Sequence, residues 1–160
     1  MARLIDRTTK YAREVLAGNI IACELVKLAC KRHIEDLKKS KTKAFQYKFD
    51  VELAERNLDF FNLLQHSKGE LAGQPIKLEL WQCFRIGSVF GWIEKETGLR
   101  RFREAYNQVP RKNGKSTEAS GIGLDLMTID GEQGAEIYSA ATKKDQARII
   151  FDEAKRMVQA

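Results

Sequence analysis

Hydrophobic residues recur at helical spacing over most of the chain. The pattern predicts a short helix that ends at Gly18 and a longer helix over residues 19–38. Asp50 is placed to cap a third helix from Val51 to about Gln65. Two later helices are predicted over residues 115–128 and 143–158, the second opened by a capping box at Thr142. The most aromatic stretch, residues 78–93, is predicted to supply core side chains, namely Trp81, Phe84, Val89, Phe90 and Trp92.

Two shorter segments suggest strands. Residues 102–109 are closed by Pro110, which cannot donate a hydrogen bond within a sheet, and residues 135–141 follow the Asp130-Gly131 turn. The resulting order is strand, loop, helix, strand, helix, which begins a doubly wound α/β sheet. The small residues of the 115–128 helix are expected to let it press closely on that sheet; they are Ala119, Ser120, Gly121 and Gly123.

The loop between the first predicted strand and its helix has the sequence VPRKNGKST, residues 109–117. The phosphate-binding motif is G-x-x-x-x-G-K-[ST], in which backbone N–H groups and the Lys hold phosphates and the hydroxyl ligates Mg²⁺. Gly114, Lys115 and Ser116 match its second half, whereas Val109 stands where the first Gly would be. A helix N-terminus also favours a polyanion. The alternative is a basic surface turn, because Arg, Lys, Asn and Gly are ordinary turn residues.

Length and composition restrict the class of protein. A chain of 160 residues that is 43% hydrophobic can bury one core, with an appended helical part. Apolar runs near 18 residues and a signal-peptide core are missing from the sequence, so we expect a soluble, cytosolic product that does not enter a membrane. Cys23, Cys30 and Cys83 form an odd set without paired spacing, which argues against a disulfide framework.

The net charge is +6, and the excess is local. Residues 27–48 hold eight Lys or Arg against Glu35 and Asp36. This density suits contact with a nucleic-acid backbone, and it equally suits a solvated helix end that continues into a basic linker. The sequence leaves both interpretations open.

Two sets of residues that could suggest chemistry are interpreted as structural. Cys23 and Cys30 lie seven residues apart, a rise of about 10.5 Å along a helix, which is too far to share one metal ion with His33. His66 falls at the end of a predicted helix, where a His is commonly a partner of the helix dipole.

A nucleotide hydrolase of this kind needs a second acidic site that holds Mg²⁺ and orients water. Residues 149–153 (IIFDE) match such a site in letters, but their surroundings have helical periodicity. We therefore predict that Asp152 and Glu153 lie on the last helix. The metal-binding acid is then expected beyond Ala160, so the sheet is incomplete at its C-terminal side and the chain is the front end of a larger protein.

Together these residues resemble the N-terminal ATPase region of the large terminase subunit of tailed bacteriophages. The resemblance rests on LELWQ, FGW, TGLRRFREAYNQVPRKNGKST and DGEQGAEIYSAATKKDQARIIFDEAKRMV, and on GNIIACELVKLACKRH with FDVELAERNLDFF. It implies a P-loop NTPase: a helical N-terminal region, residues 1–68, followed by the first part of the ATPase domain, residues 69–160. That family often lacks the first Gly of the loop.

The resemblance also implies roles for individual residues. Lys115 would hold the β- and γ-phosphates of ATP, Ser116 would ligate Mg²⁺, and Arg111 would act at the γ-phosphate as an arginine finger does. Gln82 would contact adenine, whose N6/N7 edge an amide can pair with; the alternative is a plain helix surface. The rest of the loop would complete the nucleotide site: Lys112, Asn113, Gly114 and Thr117.

Proteins of that family are motors that use ATP to drive double-stranded DNA into a procapsid, and an endonuclease domain follows the ATPase. The resemblance implies a terminase small subunit, the portal protein, and a homo-oligomeric ring as partners, in the host bacterial cytoplasm. The 160-residue chain alone is expected to be inactive. Two alternatives remain: a non-hydrolysing prophage remnant or nucleotide- and DNA-binding module, and another P-loop enzyme such as a helicase or kinase.

Overall fold

The computed structural model describes residues 5–159, and the chain forms two compact units within it. The first unit comprises residues up to Leu58 together with residues Leu78–Ala105. The second comprises Asp59–Lys77 and Tyr106–Ala160. Each unit is therefore built from two separate stretches of the sequence. The predicted division into a helical N-terminal region, residues 1–68, and the first part of an ATPase domain, residues 69–160, stays a prediction.

The first unit is mainly helical. It contains helices α1 (Arg7–Leu16), α2 (Glu24–Lys39) and α4 (Leu80–Gly91), and most of α3 (Val51–Phe60). Asp6 caps α1 through the Thr9 N–H at 2.8 Å, and Asp50 caps α3 as predicted, through the Leu53 N–H at 3.0 Å. The predicted first helix, residues 1–18, is confirmed as α1, which begins and ends inside those bounds; residues 1–4 lie outside the described residues.

The core of this unit lies where α1 meets α2 and α4. Its buried members are Tyr11, Ala12, Val15, Cys30 and Phe84. Cys30 and Cys83 are buried free thiols, and Cys23 is an exposed one. Burial raises the pKa of the Cys30 and Cys83 thiols to about 11, so both are protonated and inert at neutral pH.

A small antiparallel sheet completes the first unit. Strands β1 (Tyr47–Phe49) and β2 (Trp92–Glu94) pair with Tyr47 opposite Glu94 and Phe49 opposite Trp92. The sequence analysis missed both strands, since segments of three residues are too short to show an alternating pattern.

The second unit contains a 3-10 helix (Phe61–Leu63) and helices α5 (Lys115–Thr128) and α6 (Lys144–Gln159), which pack against each other. The helix predicted over residues 115–128 is confirmed at both ends. The third helix was predicted to run to about Gln65, but its last turn tightens into the 3-10 helix. At the start of α6, the Thr142 hydroxyl donates to the Gln146 side-chain oxygen, whereas a capping hydroxyl would accept from a backbone N–H.

The prediction of strands at residues 102–109 and 135–141 is wrong for this structure. Residues 102–109 and 135–141 are not assigned to a strand, and Tyr106 and Tyr138 are more than 80% exposed. A strand needs a hydrogen-bonding neighbour, and the described residues place no partner strand beside either segment. The architecture is thus mixed α/β, with helices and one two-stranded sheet. The doubly wound sheet stays a prediction.

The small residues of α5 pack against Phe61 and α6, not against the predicted sheet. A Cβ atom at Gly121 would lie 2.4 Å from Cε1 of the fully buried Phe61, so only glycine lets this ring approach the helix. On the same helix, Ser120 contacts α6. The sequence signal for close packing was correct, but its partners are Phe61 and α6.

Candidate functional site

The candidate site is the turn that precedes α5. Residues 111–114 form tight turns, and α5 begins immediately afterwards at Lys115. Gly114 has a left-handed backbone (φ 69°), which glycine adopts without strain, and Lys112 has a similar φ of 68°. A left-handed conformation at a lysine is uncommon, and alternating backbone conformations of this kind orient successive N–H groups toward an anion.

The first turn of α5 has the donors that a phosphate requires. The first backbone hydrogen bond of the helix joins the Glu118 N–H to the Gly114 carbonyl at 2.8 Å, and Gly114 has no side chain that could cap the helix. The N–H groups before Glu118 therefore have no intrahelical acceptor. The residues from Arg111 to Ser116 are exposed, so a ligand can reach these donors and the cations beside them.

The Lys115 ammonium lies within the loop. It donates to the carbonyl oxygens of Val109 and Pro110 at 2.7 and 2.9 Å. Asn113 donates weakly to the carbonyls of Pro110 and Arg111, both at 3.3 Å. Carbonyls on the N-terminal side of the loop thus hold the lysine directly beside the N-terminus of α5. The sequence motif gave no signal for these contacts.

The two residues that could form the second acidic site lie on a helix, as predicted. Both Asp152 and Glu153 belong to α6, and Glu153 is only 2% exposed. The Glu153 carboxylate accepts from the Ser67 hydroxyl at 2.8 Å and forms ion pairs with Lys68 and Arg156, both at 3.4 Å. Glu153 therefore has a structural role, joining α6 to the loop after the 3-10 helix.

Ser120 connects α6 with the base of the candidate loop. Its hydroxyl lies 2.7 Å from the Ser116 carbonyl and 2.8 Å from the Ile150 carbonyl. A hydroxyl has one hydrogen, so the two carbonyls share it. The first turn of α5, which carries Ser116 and Thr117, is consequently tied to the middle of α6. Sequence reasoning noted Ser120 only as a small residue.

Gln82 belongs to the first unit, whereas residues 110–117 belong to the second. The Gln82 side-chain oxygen accepts from the Glu79 N–H at 2.9 Å, a capping contact at the start of α4. This contact gives Gln82 a local structural role that the sequence analysis missed, although the E-x-x-Q spacing of residues 79–82 signals it. Contact of Gln82 with adenine stays a prediction.

The described residues contain neither a metal-binding cluster nor a helix suited to span a membrane. Residues 5–159 contain no group of three or more His, Cys, Asp and Glu side chains that could hold a metal ion. Nor does any helix in that part of the chain have the length and apolar character needed to cross a membrane.

Comparison with known proteins places this loop in a class of ATPases. A family model described as "Terminase large subunit, ATPase domain" matches residues 80–160, half of the chain and all of the loop. The chain therefore belongs to the terminase large subunit ATPase domain family, and the resemblance found in the sequence is confirmed.

One relative is much longer than this chain. The chain is 34% identical over 92 residues to "Terminase, large subunit" of Enterobacteria phage HK97. The match covers 57% of this chain and 17% of that protein, so the chain spans about a sixth of the length of the relative it matches. No solved structure matches the chain.

Proposed function

We propose that this chain is the ATP-binding part of a terminase motor and that residues 111–117 bind the phosphates of ATP. The observation that carries the proposal is the exposed loop that places the Lys115 ammonium beside the uncapped N-terminus of α5. Membership of an ATPase domain family supports the same function. Backbone N–H groups, a helix dipole and three nearby cations together suit a triphosphate.

Each residue of the loop then has a defined task. Lys115 exchanges its contacts with the Val109 and Pro110 carbonyls for the β- and γ-phosphates, and the turn at Lys112, Asn113 and Gly114 presents N–H groups. Thr117 lies in the first turn of α5, near the bound phosphates, and Gln82 contacts adenine. Arg111 meets the charge that develops on the transferred phosphoryl group.

The Ser116 hydroxyl is the candidate Mg²⁺ ligand, since it is exposed in the first turn of α5. When bound, Mg²⁺ neutralises negative charge on the phosphates during transfer. Ser120 fixes the Ser116 backbone through its hydroxyl, which orients this first turn.

In the complete protein, we propose that ATP hydrolysis drives double-stranded DNA into the procapsid, in the cytoplasm of the host bacterium. The partners are the small subunit, the portal protein and further copies of the chain in a ring, and an endonuclease domain follows. We also propose that residues 102–109 and 135–141 become strands of a doubly wound sheet there. Their exposed aromatic and aliphatic side chains, such as Tyr138 and Ile137, are suited to burial against further strands.

A second candidate is a nucleotide- and DNA-binding module that does not hydrolyse ATP. The observation that favours it is the engagement of both candidate acids: Glu153 is held by Ser67 and Lys68, and Asp152 pairs with Arg148 at 3.4 Å. We expect the 160-residue chain to bind Mg²⁺-ATP weakly and to hydrolyse it at a negligible rate, because positioning of metal and water is most of the catalysis. Hydrolysis that disappears in Asp152→Asn and Glu153→Gln would instead make these two the catalytic acids.

The direct test of the site is Lys115→Ala, with Lys155→Ala as a control that removes an exposed lysine from α6. Binding of Mg²⁺-ATP to the chain and turnover by the complete protein should both be lost in Lys115→Ala and kept in Lys155→Ala. The melting temperature should change little, since Lys115 is exposed and contributes only two loop contacts. Turnover near that of the wild type in Lys115→Ala would exclude this loop as the site.

Arg111 is tested by kinetics of the complete protein. Arg111→Ala should lower kcat far more than it raises KM, because a finger-type residue interacts with charge present only in the transition state. A higher KM with unchanged kcat would show that Arg111 only binds ground-state ATP.

A further inference from the structure

Two basic segments far apart in the sequence meet in the first unit. Residues 31–48 contain the end of α2 and the loop into β1, and residues 94–104 follow β2. Because Tyr47 pairs with Glu94, the loop before β1 and the turn after β2 lie at the same end of the sheet. Lys95 joins them directly, donating from its backbone to Gln46 and from its ammonium to the Thr42 carbonyl, both at 2.8 Å.

These two segments hold the charge excess of the protein. Together they contain eleven Lys and Arg residues and five Asp and Glu residues. The surplus of six equals the net charge of the whole chain, +6, so the remaining residues are neutral on balance. Both segments are visibly basic in the sequence, and the fold brings the second beside the first.

The buried acid within this region does not oppose an anion. Asp36 is 3% exposed and forms ion pairs with Arg101 at 2.8 Å and Lys39 at 3.2 Å. Burial alone would raise the pKa of Asp36, but the hydrogen bonds from Arg101 and Lys39 outweigh it and lower that pKa. Asp36 is thus an ionised anchor whose charge is satisfied inside the unit.

The other acids in these segments leave the cations of the first segment largely uncompensated. Glu35 lies 4.0 Å from Lys31, and Glu94 accepts from the Thr97 hydroxyl. Glu96 and Glu104 are exposed and belong to the second segment. The surplus of positive charge is therefore concentrated on the first segment, which includes the loop that follows α2.

Lys38, Lys41 and Lys43 are available cations that lie close together in the chain, at the end of α2 and in the loop after it. All three are exposed, and the ion pairs found among the described residues do not include them. Among the described residues, the two segments together expose a single large hydrophobic side chain, Leu99. A protein interface generally has an apolar centre, whereas a phosphate backbone needs only spaced cations.

We propose that this region, with Lys38, Lys41 and Lys43 at its centre, binds the phosphate backbone of double-stranded DNA without regard to sequence. The inference deepens the proposed packaging function by giving the DNA a contact surface in the first unit. It does not use the nucleotide loop, so the two proposals can fail separately: Lys115→Ala should leave DNA binding unchanged.

The experiment compares two triple variants of the 160-residue chain. Lys38→Gln/Lys41→Gln/Lys43→Gln removes three charges from the proposed surface, and Lys143→Gln/Lys144→Gln/Lys155→Gln removes three exposed charges from the region of α6. The DNA affinity of each is measured by fluorescence anisotropy with labelled duplexes of two unrelated sequences, over a series of salt concentrations. Melting temperatures verify that both variants fold.

The first triple variant should weaken binding about tenfold or more for both duplexes, and reduce the slope of log K against log salt by about one for each lysine that contacts a phosphate. The α6 variant should bind like the wild type. Replacing the same three lysines, 38, 41 and 43, by arginine should restore affinity, since the charge is retained.

Three results with DNA would overturn the proposal: no binding of DNA by the wild-type chain at low salt, equal losses in the two triple variants, or a strong preference between the duplexes. Poly-glutamate serves as a probe for an acidic protein partner. If the chain bound poly-glutamate more tightly than DNA, and the first triple variant lost that binding, the surface would be assigned to an acidic protein partner and the DNA proposal would be overturned.

Discussion

Acidification to about pH 4.5 should destabilise the first unit, and His33 should be a principal cause. His33 is 3% exposed. Its Nδ1 atom accepts from the Trp92 indole N–H at 3.0 Å, so the proton of the neutral ring is on Nε2. That N–H then donates to the Thr9 hydroxyl at 3.0 Å. A proton added to Nδ1 would break the bond from Trp92, because both groups would then be donors.

The surroundings of His33 oppose protonation. Burial lowers the pKa of His33 from 6.5 to about 4, and it outweighs the effect of Asp6 and Asp36, which raise that pKa. Arg32 and Arg13 lower it further. The neutral ring is therefore the form that the folded unit requires.

The sign and size of the effect follow from this shift. The unfolded chain protonates His33 near pH 6.5 and the folded unit only near pH 4, so the unfolded state binds more protons between these values. The stabilisation is complete above pH 6.5 and is lost as the pH falls toward 4. The full shift corresponds to about 3 kcal/mol, of which about 2.5 kcal/mol is lost by pH 4.5.

The assay is urea unfolding followed by Trp92 fluorescence at a series of pH values, in a Trp81→Phe background so that one tryptophan of the first unit reports. His33→Gln serves as the non-titrating variant. It should be less stable than the background protein at pH 7.5, because its hydrogen bonds change, but its stability should fall about 2.5 kcal/mol less by pH 4.5. Parallel curves for the two proteins over this range would refute the assignment to His33.

Two further predictions concern packing and charge. Gly121→Ala should destabilise the second unit by about 1–3 kcal/mol, because its Cβ would lie 2.4 Å from Phe61. Gly123→Ala on the same helix is the control: its Cβ meets its nearest atom at 3.5 Å, so this variant should be neutral or stabilising. Chemical denaturation measures the free energy of unfolding of both variants. Arg101→Met should cost about 3–5 kcal/mol by leaving the buried Asp36 charge without its nearest partner, and adding Asp36→Leu should recover part of that loss. Equal stability of Arg101→Met and the wild type would contradict this role.

Local sequence signals located the helices well. The predicted helices correspond to α1, α2, α3, α5 and α6, with differences at their ends, because helical periodicity and capping residues such as Asp50 act within a few residues. For the same reason, residues 149–153 could be assigned to a helix despite their resemblance to an acidic strand motif. The candidate nucleotide loop was also located from local sequence, since Gly114, Lys115 and Ser116 are adjacent.

The sheet could not be predicted in this way. Strand formation depends on a partner that is remote in sequence, so β1 and β2 were missed and residues 102–109 and 135–141 were assigned wrongly. Only a hydrogen-bonding neighbour makes such a segment a strand.

The sequence by itself determined the helices, the phosphate-binding motif before α5 and the family to which the chain belongs, because each depends on residues close together along the chain or on a long matching run. Only the tertiary structure decided which distant groups meet. Ser120 joins α5 to α6, Glu153 accepts from Ser67, and Lys95 brings the second basic segment to Thr42. The physical reason is that side-chain hydrogen bonds act over about 3 Å, whereas these partners lie 30 or more residues apart and become neighbours only when the chain folds.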